Sequence, residues 1–151
     1  MSGSIIQATS AHLELLTPLF DSYRVFYGRQ SDPAQAKQFL AERLANNDSV
    51  IFLAIDETSD HGLGFAQLYQ SFSSVAMRRI WILNDLFVVE QARRRGTGRA
   101  LLDMANAFGA QSDAVRIDLA TAKDNLAAKS LYESSGYRPD TQFDHYKFPV
   151  T

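Results

Sequence analysis

Cysteine is absent from the 151 residues, which excludes a disulfide framework, a thiolate metal site and an acyl-cysteine intermediate. His12, His61 and His145 are scattered without metal-ligand spacing, so no metal site is expected. Positive charge is not in excess: the formal net charge of -2 argues against a nucleic-acid partner held through phosphate contacts. The N-terminus lacks the basic-then-apolar pattern of a signal peptide, and no run approaches the roughly 20 apolar residues that span a bilayer. No membrane partner is expected, and the chain reads as cytoplasmic. Internal repeats, low-complexity segments and interdomain linkers are also missing. With 46% hydrophobic and 21% charged residues, residues 1–151 are expected to form a single globular domain.

What is present centres on residues 83–102. Residues 80–89 are rich in β-branched and aromatic side chains, the mark of a strand. From Gly98 onward Leu101, Leu102, Ala105 and Phe108 repeat at helical spacing. Between the two lie Arg93, Arg94 and Arg95, then Gly96-Thr97-Gly98. A helix start leaves main-chain N–H groups unpaired and carries the positive end of the dipole. Glycines let that main chain approach a ligand, and arginines add forked donors suited to phosphate oxygens. The expected guest is a pyrophosphate. A Walker loop is excluded because Gly98 is followed by Arg99-Ala100, and a dinucleotide fingerprint because Leu101 stands where its third glycine would be.

The pattern Arg93-x-x-Gly96-x-Gly98 after an apolar strand resembles the acetyl-CoA pyrophosphate loop of the GCN5-related N-acetyltransferases (GNAT). Downstream, Asn125-Leu-Ala-Ala128-Lys-Ser-Leu131-Tyr132-Glu-Ser-Ser-Gly136-Tyr137 is similar to that family's second conserved segment. There is some similarity to the diamine acetyltransferase-like branch. It implies a mixed, mainly antiparallel sheet of six to seven strands flanked by about four helices, an α+β or α/β arrangement covering almost the whole chain. It also implies acetyl-CoA as cosubstrate and a homodimer with the C-terminal strands at its interface.

The element pattern agrees with that order. Residues 5–6 fit a first strand; Ser10 is a candidate cap for a helix carrying Leu13, Leu16, Leu19, Phe20, Tyr23, Phe26 and Tyr27 on one stripe, ended by Gly28. Asp32-Pro33-Ala34-Gln35 opens the next helix. Residues 49–55 and 64–72 form a hairpin leading to the strand at 80–89. A helix over 98–109, a strand over 115–121, a helix from Asp124 or Asn125 to Ser134, and closing strands at Tyr137 and over 143–150 complete it.

The resemblance also assigns roles. Main-chain groups of Leu86, Phe87 and Val88 would pair with the pantetheine arm as an added strand. Residues Arg93, Arg94, Arg95, Gly96, Thr97, Gly98 and Arg99 would hold the pyrophosphate, and Asn125 would contact the cofactor or cap its helix. Tyr132 would be the general acid: a phenol of reference pKa about 10 can protonate a departing thiolate whose reference is about 8.5. The attacking amine must lose a proton, since at a reference pKa of 10.4 only about one molecule in two thousand is neutral at pH 7. Where diamine acetyltransferase-like members carry a glutamate base, this chain has Asn84, which cannot serve. Asp85, Glu90 or bulk water are the alternatives. Neighbouring strand residues face opposite sides, so Asp85 would not simply inherit the place of residue 84. Tyr27, Asn84 and Asp85 would frame the acceptor.

The leading expectation is an acetyltransferase acting on a primary amine of a small molecule in a ternary complex. The missing glutamate motivates a non-catalytic acyl-CoA sensor as an alternative, and the acceptor loops leave a protein or peptide acetyltransferase open.

Overall fold

Residues 50–54 are apolar at every position, the pattern of a strand covered on both faces. In the computed structural model, which describes residues 3–151, they lie in β2 (Ser49–Asp56). Ile51 and Leu53 join Leu16, Leu19 and Phe20 of α1 (Leu13–Phe26) and Ala36 and Leu40 of α2 (Pro33–Ala45) in one core. Phe52 faces the other way, its ring 5.6 Å from Phe108 of α3 (Thr97–Gln111). Each such side chain contributes about 1.5–3 kcal/mol on burial, so the alternation along β2 holds helices to both faces of the sheet.

Five strands form that sheet in the order β1-β2-β3-β4-β5, with β1 (Gly3–Gln7), β3 (Gly62–Ser73), β4 (Arg78–Val88) and β5 (Ile117–Leu119) beside β2. The first four pair antiparallel, and β5 pairs parallel with β4. A parallel neighbour needs a crossover, which α3 supplies. Asp32 caps α2 by accepting from Gln35 N at 3.1 Å, with Pro33 at the first position, as its sequence predicts. The cap expected at Ser10 differs: Thr9 caps a short 3-10 turn over Ser10–His12, and α1 starts at Leu13.

The unit just described ends at Ala120, and residues 121–151 form a second one. It holds α4 (Leu126–Ser134), capped by Asn125, whose side-chain oxygen accepts from Ala128 N at 3.1 Å. The closing strands expected at Tyr137 and over 143–150 do not form, so the described sheet has five strands rather than six or seven. Pro139 and Pro149 have no N–H to give a ladder, and Asp140 turns the chain by accepting from Gln142 N and Phe143 N at 2.9 and 3.1 Å.

Candidate active site

The pairing of β3 with β4 slips once. Gln67 faces Asp85 and Leu68 faces Leu83, so Asn84 is an extra residue, a β-bulge. In an unbroken strand Trp81 and Phe87 would share a face. Instead the Trp81 ring lies 5.1 Å from Phe108 of α3, whereas Phe87 lies 6.0 Å from Tyr23 and 6.4 Å from Phe26 of α1. The bulge therefore turns Asp85 and Phe87 toward α1, and the expectation that residue 85 faces away from residue 84's surroundings meets a strand whose alternation is reset at that point.

Asp85 is 4% exposed. Gln67 Nε2 donates to it at 2.6 Å, Asn84 Nδ2 at 3.0 Å, and the Tyr23 hydroxyl also bonds to it. Burial raises its pKa above the ordinary carboxylate value, and these three donors act in the opposite sense. Tyr23 reaches the bulge as well, its hydroxyl 3.3 Å from Asn84 O. Tyr69 lies further along the face of Gln67 and is pushed up to about 12 by burial and by the Asp85 charge. Sequence reasoning missed Gln67 and the role of Tyr23; a glutamine at an inward position of the apolar run 63–69 was the available signal. Tyr27 stands at the end of α1, 53% exposed, with its ring 5.1 Å from Tyr23 and 5.3 Å from Phe26. Asn84, Asp85 and Tyr27 are thus linked through Tyr23, while Glu90 lies beyond the end of β4, in a 3-10 turn over Glu90–Ala92.

The ladder between β4 and β5 covers only Trp81, Ile82 and Leu83, so residues 84–88 have no strand neighbour on that edge among the described residues. Val89 N donates to Leu63 O at 2.9 Å, which puts the main-chain groups of Phe87 and Val89 on the β3 side. Those of Leu86 and Val88 then point to the open edge. Of the three residues expected to meet pantetheine through the main chain, these two are oriented for it. Phe87 contributes its ring to the α1 side.

After the 3-10 turn come two left-handed residues, Arg94 at φ 65° and Gly96 at φ 83°, and α3 begins at Thr97 without a side-chain cap. The first intrahelical bond runs from Ala100 N to Gly96 O at 2.9 Å, so the N–H groups of Thr97, Gly98 and Arg99 belong to the open first turn. This is the geometry of an anion site. Nothing lies within 4 Å of a Cβ built on Gly96, so its requirement for glycine is conformational. Gly96→Ala is expected to cost about 1–2 kcal/mol, read as a lower midpoint in thermal unfolding, and to weaken coenzyme A binding in calorimetry; a variant unchanged in both would contradict this role.

That phosphate-ready helix start beside an open strand edge is matched by sequence: the model of the acetyltransferase (GNAT) family fits residues 14–137. The chain belongs to the GNAT family. This acetyltransferase is 47% identical over 143 residues to an uncharacterized N-acetyltransferase, YhfO, of Bacillus subtilis (strain 168), covering 95% of each chain. It is 32% identical over 134 residues to a probable acetyltransferase of Haemophilus influenzae, covering 89% of each. A crystal structure of a probable acetyltransferase superposes with a TM-score of 0.94 at 46% identity, covering 98% of both chains. The GNAT protein is an acetyl-CoA-dependent N-acetyltransferase, with the mixed five-stranded sheet described above.

In the second unit, Asn125 is the N-cap of α4 and Tyr132 lies within that helix, seven positions on. The Tyr132 ring is 6.0 Å from that of Tyr137, and burial, with a smaller contribution from Tyr132, raises the Tyr137 phenol to about 12. Tyr137 therefore stays neutral throughout the working pH range. None of the long helices is apolar enough to cross a membrane among the described residues.

Proposed function

We propose that this acetyltransferase acetylates a primary amine of a small molecule by direct attack on acetyl-CoA in a ternary complex. The observation that carries the reading is the bulge at Asn84, where the β4–β5 ladder ends and Asp85, Tyr23 and Tyr27 converge. Leu86 and the N–H of Val88 pair with pantetheine along the open edge, and residues 94–99 receive the pyrophosphate. Asn125 contacts the cofactor from the start of α4. Asp85 takes the ammonium proton. A carboxyl raised by burial lies nearer the operating pH than a free one and is the better base for it. Tyr132 protonates the departing thiolate.

Small-molecule acceptors are favoured by the size of the framing surface, which consists of side chains from the end of α1 and one bulge. Thiol release from acetyl-CoA across polyamines, amino acids, aminoglycosides and lysine peptides tests this. Release with free amines supports it, and release with peptides alone would replace it by a protein acetyltransferase.

The same reading makes the chain a cytoplasmic homodimer with the C-terminal segment at the interface. Phe143 is 69% and Tyr146 91% exposed, and Phe148 and Val150 are similarly open. Removing residues 141–151 is expected to convert dimer to monomer in light scattering; an intact chain that already runs as a monomer would count against it.

A further inference from the structure

Arg93 opens the loop that receives the pyrophosphate, yet its side chain turns back along β4. Its Nε donates to Val88 O at 2.9 Å, and its guanidinium carbon lies 5.7 Å from the ring centroids of both Phe26 and Phe87. Arg94, Arg95 and Arg99 stand at the start of α3. The Nε bond and the two rings fix the guanidinium plane, which leaves the two Nη groups as a forked donor pair suited to a carboxylate. No carboxylate pairs with Arg93 among the described residues.

The position is next to the surface that frames the acceptor. Phe26, 57% exposed, is in ring contact with Tyr27, and Phe87 is in ring contact with Tyr23, whose hydroxyl reaches the Asn84–Asp85 bulge. Asp85 and Phe87 lie two residues apart on one face, roughly 7 Å along the strand. Asp85 lies buried beneath one end of this surface, Phe26 and Tyr27 expose their rings in its middle, and Arg93 is its exposed cationic end. A simple polyamine would meet repulsion at the Arg93 end.

We infer that Arg93 is a specificity-determining residue for the acceptor, and that the acceptor is an amine separated from a carboxylate by an apolar body, the chemistry of ω-amino acids. Its ammonium lies over the Asn84–Asp85 bulge, its body on the exposed Phe26 and Tyr27 rings, and its carboxylate takes the Nη edge of Arg93. This rests on the acceptor reading given under the proposed function. It differs from a pyrophosphate role for the Arg93 side chain.

Acceptor pairs that differ only in the carboxylate provide the test: 5-aminopentanoate against butylamine, and 6-aminohexanoate against pentylamine, with coenzyme A affinity followed by calorimetry. The wild-type protein is expected to favour the carboxylated member of at least one pair by about ten- to a hundredfold in kcat/KM. Arg93→Gln should collapse that ratio by raising the acceptor KM, with the coenzyme A dissociation constant moving less than about threefold; Arg93→Lys, which keeps the charge without the fork, should fall between. Equal or better use of the decarboxylated members would overturn the inference. So would an Arg93→Gln variant that keeps the ratio but loses coenzyme A affinity, because the side chain would then serve phosphate. Thiol release with neither member of any pair, alongside release with polyamines or peptides, would overturn the acceptor class while leaving acetyl transfer intact; no release with any amine would remove the acceptor reading itself.

Discussion

Tyr132→Phe is expected to lower kcat by about 10²- to 10⁴-fold, the range for loss of a positioned general acid. Coenzyme A affinity should be unchanged, because the ring that packs 6.0 Å from Tyr137 is retained and only the hydroxyl is removed. The loss should shrink with an acetyl donor whose thiol leaves more readily, such as an acetyl-CoA analogue in which an arylthiol replaces the cysteamine end, since a leaving group that needs no proton gains nothing from the phenol. Steady-state rates with both donors decide it. Equal rates for Tyr132→Phe and the parent protein would remove Tyr132 from the chemistry and leave bulk solvent as the proton source.

Asp85→Asn is expected to have the second-largest effect, a fall in kcat/KM of about 10²-fold or more at neutral pH. The accompanying pH dependence has a definite sign. Asp85 must be ionised to accept a proton, so activity of the parent protein should fall on the acid side of a limb lying above the ordinary carboxylate range, and the asparagine variant should lack that limb. Stability runs the other way. With its folded pKa raised by burial, Asp85 favours the folded state most fully below its unfolded pKa, and that contribution is lost as pH rises through the folded value. Asp85→Asn should therefore gain stability relative to the parent as pH increases across that window. Gln67, whose Oε1 has no partner, can turn its amide to accept from the new Nδ2. Denaturant unfolding at acid and neutral pH checks the sign; a variant less stable at neutral pH than at acid pH, relative to the parent, would contradict the buried-carboxylate account.

These two residues also show what the sequence could and could not reveal. Tyr132 is singled out by the resemblance of Asn125, Ala128, Leu131, Tyr132 and Gly136 to the family's second segment, while the helix that carries it, α4, was legible as a local pattern. The helix that follows Arg93–Gly98 and the strands over Ser49–Asp56 and Gly62–Ser73 were likewise legible as local patterns of residue type. The surroundings of Asp85 were not. A bulge is a mismatch between two strands, and nothing in residues 78–88 by themselves says that Asn84 will be left unpaired. Without the bulge, the parity of Asp85 and its contacts with Gln67 and Tyr23 could not be derived. Arg93 illustrates a further limit, since a motif gives the position of a side chain in the chain but not its direction in space. The alternation of Tyr146, Phe148 and Val150 suggested a strand that the structure does not form, because alternation specifies a face and pairing needs a partner and donors that Pro149 cannot supply.

The account depends most on where the cofactor lies, and titration of the 15N-labelled protein with coenzyme A tests that directly. The expected result is a set of amide shifts concentrated at Leu86, Val88 and residues 94–99, with Phe87 N–H, held in the β3 ladder, much less affected. Shifts confined to other strands, or none at saturating coenzyme A, would contradict the placement of the thioester against the open edge of β4.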